Sequence, residues 1–298
     1  MNIAVLADSQ QNHSKEAEAI REALKKGDHT VEIYDVDQQI MATLKAKRPD
    51  LCCIAAGTEG DTGVLQEMLE LLQIPFLGSG SESCRISADE KISMFSLLRY
   101  IEAAEEELAV EPLVSFKFSA KLIASELDTI VQVCEERIPG GYPYEVRSLA
   151  PEKTATTTVQ DSKEFKDALK ACEKTGCLVR QWVEGIRVSV AVLGTGWDAH
   201  VLPPIDETEN APVSLAALSS SDEVAQAIRS EIERCAFEVC LALGLRDFAL
   251  VRLVWDGAQV RMAEVEALPS FAEGSAFEVA CKTAGLSIEG VLNHLVEL

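Results

Sequence analysis

The 298-residue chain contains 47% apolar and 26% charged residues, which is ordinary for an α/β protein of two or three packed units. Its formal net charge of −22 argues against general binding to nucleic acids or to anionic membrane surfaces, since both are polyanions that select basic patches. No apolar run approaches the roughly 20 residues of a transmembrane helix, and the strand-like N-terminus lacks a basic leader region. We therefore expect a cytoplasmic protein.

Cysteine usage supports the same compartment. The nine cysteines are scattered through apolar runs, as at Cys52, Cys53, Cys235 and Cys240, and none forms a Cys-x-x-Cys motif. This pattern predicts buried, reduced thiols. The four histidines lie near no close cysteine pair, so we do not expect a zinc site.

The first 88 residues alternate between strand-like and helix-like segments. Strands are predicted at 2–7, 30–35 and 51–56, and the longer helices at 15–26 and 64–72. Alternation of this kind predicts a parallel sheet. Ligands of such sheets bind beyond the carboxyl ends of the strands, which points to the loops that follow Ala7 and Ala55.

Residues 89–184 read as a small α+β lobe. A helix is predicted at 89–104, an acidic linker at 102–111, strand-like segments at 113–118 and 142–147 around an amphipathic stretch, a helix at 164–174 and a strand at 177–183. The next lobe begins with a strand at 187–193. A helix at 222–243 then ends before Gly244, a natural C-terminal capping residue.

Two β-rich runs between Leu250 and Ser270 flank Asp256-Gly257 and predict a hairpin. Glu264 and Glu266 are two residues apart on the second strand, so both side chains leave the same face of the sheet. Paired carboxylates are what a hard cation such as Mg²⁺ requires. From these residues alone, the alternative is an acidic sheet edge.

Three segments resemble the D-alanine–D-alanine ligases, which have the ATP-grasp fold. The hairpin end Glu-Val-Glu-Ala-Leu-Pro resembles the family's Glu-x-Asn-x-x-Pro-Gly, residues 57–80 are similar to the segment ending in Gly-Ile-Pro-Tyr-Thr-Gly-Ser-Gly, and residues 284–298 resemble the C-terminal helix. The resemblance implies an α/β and α+β fold. It comprises an N-terminal parallel-sheet domain (1–88), a small central ATP-grasp lobe (89–184) and a C-terminal lobe (185–298).

The resemblance also implies which residues stand at the ATP positions. The first ATP-binding lysine of the family corresponds to Glu90, and Lys91 lies one place late, about 100° around the helix. The second lysine corresponds to Arg147. The Gly-rich loop that covers the phosphates corresponds to residues 151–158, which contain no glycine and form a poor phosphate cover.

The nucleoside and metal positions depart from the family in the same direction. Acidic adenine and ribose contacts of the family correspond to Arg180 and Arg187, which cannot accept hydrogen bonds. The first metal ligand, an Asp, corresponds to Arg252. Glu264 corresponds to a second metal ligand, and Glu266 replaces an Asn ligand.

On the substrate side, the family's catalytic arginine corresponds to Leu250 and its histidine to Ala56. The resemblance assigns Gly63, Pro269 and Ser275 to the substrate side of the site. We therefore expect a family member with weak or no ligase activity and a binding or scaffold role. The alternative is an active ATP-dependent ligase that makes D-alanyl-D-alanine for peptidoglycan.

Further expectations concern ligands and assembly. ATP and Mg²⁺ are the expected cofactors if the protein is active, and none if it is not. The resemblance implies a small molecule or nucleotide in the cleft between the two C-terminal lobes, with Arg147, Arg180, Arg187 and Arg252 approaching it. It also implies a homodimer.

The position of Arg252 depends on the hairpin register. We expect its guanidinium to replace Mg²⁺ beside Glu264 or Glu266, the alternative being that Arg252 points to solvent. A two-residue turn would pair Arg252 with Arg261 and turn it away from the glutamates, whereas a three-residue turn would pair it with Met262 on their face. The family's geometry favours the second register.

Overall fold

A computed structural model describes residues 1–8, 15–55, 62–89, 92–93, 96–100, 110–149 and 156–297. The chain forms two compact units. The first combines Met1–Val110 with Ile186–Leu298, and the second is Glu111–Gly185. The predicted division into three parts, with boundaries near 88 and 184, remains a prediction. The predicted linker at 102–111 falls almost wholly outside the described residues.

The first unit opens with a three-stranded parallel sheet in the order β2-β1-β3. Its strands are β1 (Asn2–Asp8), β2 (Thr30–Val36) and β3 (Leu51–Ala55), and its helices are α1 (Lys15–Lys25), α2 (Ile40–Lys47), α3 (Val64–Leu72) and α4 (Ser81–Ser87). The predicted parallel sheet is confirmed. Every residue of β3 is buried, because helices and neighbouring chain cover both faces of this sheet.

The larger sheet of the first unit has seven strands in the order β12-β11-β9-β13-β14-β4, with β10 also paired to β9. The strands are β4 (Val110–Pro112), β9 (Ile186–Leu193), β10 (His200–Val201), β11 (Ile205–Asp206), β12 (Ala211–Pro212), β13 (Phe248–Trp255) and β14 (Val260–Glu266). The helices of this part are α7 (Leu215–Leu218), α8 (Asp222–Ala242), α9 (Ala276–Thr283) and α10 (Ile288–Glu297). Successive side chains of β9 and β13 point to opposite faces of this sheet, and the two sets of side chains enter two different cores.

One core lies under α8, and the other contains Phe248, Leu250, Phe271 and Phe277 together with residues of β1 and α1. Two hydrogen bonds stabilise this second core by joining residues that are far apart in the sequence. The main-chain N–H of Phe271 donates to Glu16 Oε1 at 2.6 Å, and Asn293 Nδ2 donates to the carbonyl of Ala23 at 3.0 Å.

The second unit is a four-stranded antiparallel sheet in the order β5-β8-β6-β7 with two helices. Its elements are β5 (Ser115–Phe118), α5 (Ala120–Arg137), β6 (Tyr144–Ser148), β7 (Thr156–Val159), α6 (Ser162–Ala171) and β8 (Cys177–Gln181). Tyr144 and Val146 point into the core with α5 and α6. Glu145 and Arg147 therefore lie on the opposite face of the sheet.

All nine cysteines are buried and free, as the sequence predicted. Burial raises the pKa of the Cys134 and Cys177 thiols to about 12, which keeps both protonated near neutral pH. None of the helices within the described residues is long and apolar enough to cross a membrane.

Candidate functional site

The hairpin β13–β14 carries the predicted carboxylates, but its register differs from the predicted one. Trp255 pairs with Val260, so four residues connect the strands, and a bulge between Arg252 and Leu253 shifts the pairing. Arg252 consequently lies opposite Glu264. The predicted pairing of Arg252 with Met262 is wrong. The bulge nevertheless places Arg252 on the same face of the sheet as the two glutamates. The predicted register, although wrong, had placed Arg252 on this face as well.

Arg252 is held by its neighbours on this face. Its Nε and Nη2 donate to Glu266 Oε1 at 2.8 and 2.6 Å, and its Nη1 donates to Glu207 Oε1 at 2.8 Å and to Ser189 Oγ at 3.3 Å. Ser189 Oγ in turn donates to Glu207 Oε1 at 2.8 Å. The prediction that Arg252 lies against Glu264 or Glu266 is confirmed by its contact with Glu266.

The strands and one loop explain why these groups meet. Ser189 lies directly opposite Arg252 in the β9–β13 pairing, and Glu264 lies opposite it on the other side. Glu207 follows β11, where its main-chain N–H donates to the carbonyl of Arg187 at 3.0 Å. We refer to Ser189, Glu207, Arg252, Glu264 and Glu266 as the Arg252 network.

Charges in the Arg252 network are half-buried, with 31% of the Arg252 side chain, 24% of Glu207 and 29% of Glu266 exposed. Burial alone would lower the pKa of Arg252, but the charges of Glu266 and Glu207 outweigh it and raise that pKa. Burial also raises the pKa of Glu266, and Arg252 offsets this only in part. The guanidinium is therefore permanently charged and shared between two carboxylates, those of Glu266 and Glu207.

The Arg252 network does not fit Mg²⁺ as it stands. Mg²⁺ needs oxygen ligands at about 2.0–2.1 Å in near-octahedral geometry. The guanidinium occupies the space between Glu266 and Glu207, so the ion would have to displace it. Within the described part of the chain, no group of three or more His, Cys, Asp or Glu residues is arranged to hold a metal.

A second ion pair lies in the second unit. Arg180 faces Glu145 across β8 and β6, and its Nε and Nη2 donate to Glu145 Oε2 at 2.7 and 2.6 Å. Only 12% of the Arg180 side chain and 6% of Glu145 are exposed. Arg147 lies two residues from Glu145 on the same face of the sheet.

The remaining predicted site residues have structural places. Arg187 lies on β9 opposite Val254, on the face that carries Arg252. Gly63 precedes α3 with φ of +80°, and an added Cβ would lie 2.4 Å from the carbonyl oxygen of Ser81. Pro269 is buried. Ser275 caps α9 by accepting the N–H of Glu278 at 3.2 Å.

Some predicted positions lie outside the described residues, namely Lys91, Ala56 and most of the loop 151–158. Sequence reasoning missed Ser189, Glu207 and Glu145. A signal existed for two of them. Ser189 follows Arg187 by two residues on a predicted strand, and Glu145 precedes Arg147 by two, so each shares a face with an arginine that the resemblance assigns to the ATP site.

Comparisons with known proteins give a consistent relationship. Residues 152–297 match the family model described as the D-ala D-ala ligase C-terminus. The D-alanine–D-alanine ligase of Desulforudis audaxviator is 26% identical over 295 residues, covering 94% of this chain and 91% of that protein.

Solved structures agree in fold. The ligase of Bacillus anthracis complexed with ATP superposes with a TM-score of 0.70 at 19% identity, covering 100% of this chain and 96% of that one. The D-alanyl-alanine synthetase A of Vibrio cholerae gives 0.73 at 18% identity, covering 100% and 97%. These matches together show that residues 152–297 belong to the D-alanine–D-alanine ligase C-terminal family and that the chain, which is similar to these ligases over nearly its whole length, has the ATP-grasp fold.

Proposed function

We propose that this protein is a divergent D-alanine–D-alanine ligase-like member of the ATP-grasp fold, with weak or no ligase activity and a binding or scaffold role. The observation that carries the proposal is the Arg252 guanidinium, hydrogen-bonded to both Glu266 and Glu207. A cation supplied by the chain itself already pairs with both carboxylates and lies between them, so a metal ion would have to displace it.

The second ion pair supports the same proposal. Arg180, which the resemblance places at a nucleoside contact, is engaged by Glu145 and offers no acceptor to an adenine amino group or a ribose hydroxyl. Ligation by this family's chemistry relies on neutralising phosphate charge during transfer, which electrostatic groups and metal ions supply. Loss of those groups removes the main source of catalysis.

The second candidate is an active ATP-dependent ligase that makes D-alanyl-D-alanine for peptidoglycan. It is favoured by one observation, the coverage of nearly the full length of both the chain and its ligase relatives. We place the protein in the cytoplasm as a homodimer under either candidate. Its ligand would be a small molecule or nucleotide, with ATP and Mg²⁺ required only by the active ligase.

Calorimetric titration with ATP and Mg²⁺ tests the proposal. We expect no binding at micromolar concentrations, because the Arg252 network leaves no open magnesium position. Phosphate release measured with ATP, Mg²⁺ and D-alanine supplies the second readout. Micromolar ATP binding together with phosphate release that depends on D-alanine would replace the proposal with the active ligase.

A further inference from the structure

The first unit contains a cavity of about 590 Å³, and its described lining includes none of the positions that the resemblance assigns to the ligase site. It lies between the end of β9, the segment after β10 and helix α10. Its apolar wall is formed by Leu193, Leu202, Leu286, Val291 and Leu295. This volume falls within the roughly 300–1,000 Å³ of small-molecule sites, which are mostly apolar with a few placed polar groups.

The polar groups of the cavity favour a cation. Among the described residues of its lining, Asp198 and Asp247 supply two carboxylates, and the other polar side chains are Thr195, His200 and His294. Asp247 already accepts the N–H of Gly78 at 2.8 Å. Asp198 is exposed and, among the residues that the structure describes, has no ion-pair partner.

We propose that this cavity binds a small organic cation, an ammonium group carried on an aliphatic body of about five to eight carbons. The body would cover Val291 and Leu295, and the ammonium would pair with Asp198 at the rim. The net charge of −22 acts in the same direction, since it raises the local concentration of cations and lowers that of anions.

The test uses the full chain with hexylammonium as the probe, and hexanoate and 1-hexanol as matched compounds of the same body. Binding is followed at pH 8 by the NMR shifts of labelled Leu and Val methyl groups. We expect saturable shifts for hexylammonium at millimolar concentration, and affinity for hexanoate at least about 10-fold weaker, because it would meet carboxylates instead of pairing with them.

Two variants localise the site. Gly290→Leu projects a side chain into the cavity from α10, where an added Cβ would meet only Ser287 Oγ at 3.2 Å, and should weaken hexylammonium binding at least about 10-fold. Asp198→Asn keeps the shape and should reduce the preference for hexylammonium over 1-hexanol by about 3- to 10-fold. Asp222→Asn makes the same charge change on α8, away from the cavity, and should leave the preference unchanged.

Three results would overturn the proposal. The first is equal or tighter binding of hexanoate. The second is hexylammonium binding that survives Gly290→Leu while circular dichroism shows an intact fold. The third is a shift of the cavity methyl signals when the protein concentration is raised, with no shift when the amine is added. That result would assign the cavity to a second copy of the chain. ATP binding has no part in this test, so its outcome is independent of the proposed function.

Discussion

Two arginines, one in each unit, stand where the resemblance places acidic residues, yet their surroundings differ. Arg180 forms one nearly buried pair with Glu145, whereas Arg252 is half-buried and shared by Glu266, Glu207 and Ser189. In the first case the cation and the carboxylate that it contacts are both almost completely withdrawn from solvent. In the second, one cation is shared by two carboxylates, so its removal would leave negative charge that another cation can bind.

The largest expected effect lies in the second unit. Arg180→Met should destabilise that unit by about 3–5 kcal/mol, since Glu145 would stay buried and would lose the guanidinium that donates two hydrogen bonds to it. Urea unfolding followed by the fluorescence of Trp182, with Trp197 and Trp255 replaced by Phe, measures this unit alone. Adding Glu145→Leu should restore most of the loss, because an apolar pair of similar volume replaces the buried charges. A double variant no more stable than Arg180→Met would show that the loss does not come from the buried charge of Glu145.

The next largest expected effect is the loss of stability when either of two glycines is replaced by alanine. Gly63 and Gly140 have φ of +80° and +82°, but an added Cβ meets the Ser81 carbonyl oxygen at 2.4 Å only at Gly63, and nothing within 4 Å at Gly140. Gly140→Ala should cost about 1 kcal/mol, the penalty of a left-handed conformation alone. Gly63→Ala should cost about 2–4 kcal/mol because the clash adds to it. Urea midpoints of the two variants check the difference. Equal losses would mean that Gly63 is required only for its backbone conformation.

The effect of Mg²⁺ on the free energy of unfolding tests whether Arg252 has taken the place of a metal ion. Arg252→Asp should lower the free energy of unfolding by about 1–3 kcal/mol without Mg²⁺, since repulsion among carboxylates replaces attraction. With a dissociation constant near 1 mM, 10 mM Mg²⁺ would return about 1.4 kcal/mol. Thermal unfolding with and without Mg²⁺ measures this return.

Arg252→Ala is the control, because it removes the guanidinium without adding a ligand. It and the unmodified protein should show a much smaller Mg²⁺ response. An equal or larger response of the unmodified protein would contradict the idea that the arginine has taken the place of the metal ion.

The smallest effect concerns the turn that follows Arg252. Burial alone would raise the pKa of Asp256, but hydrogen bonds from Gln259, Arg261 and Ala258 outweigh it and hold that pKa below its ordinary value. The stabilisation is therefore fully present above the unfolded pKa, near 4, and is lost as the pH falls through the lower folded pKa. Asp256→Asn should cost on the order of 1 kcal/mol at pH 7. The difference from the unmodified protein should shrink below pH 4, and a constant difference from pH 7 to pH 3 would refute this origin.

Particular residues show how far the sequence could predict the site. The alternation of Glu264 and Glu266 was enough to place both on one face. The attraction of opposite charges predicted a contact with Arg252 only if it shared that face, and this choice came from the family's geometry through a register that proved wrong. The register was not predictable, because a bulge between Arg252 and Leu253 leaves no mark in the residue pattern. Glu207 was missed because it reaches Arg252 from a loop 45 positions away, and no periodicity connects the two. The fold was the easier inference, since ordered motifs along the chain and strand–helix alternation constrain it together.

The first unit is assembled from two stretches of chain separated by the whole of the second unit, and this bears on its synthesis. The bond from Phe271 to Glu16 spans 255 positions. At about 5–20 residues per second, a ribosome needs roughly 13–50 s to make that stretch. The second unit, with all of its strands within Glu111–Gly185, is complete well before then. We therefore expect the apolar residues of β1 and its neighbours to stay exposed until Phe248, Phe271 and Phe277 have been synthesised. During this interval a chaperone could bind the apolar surface of the nascent N-terminus.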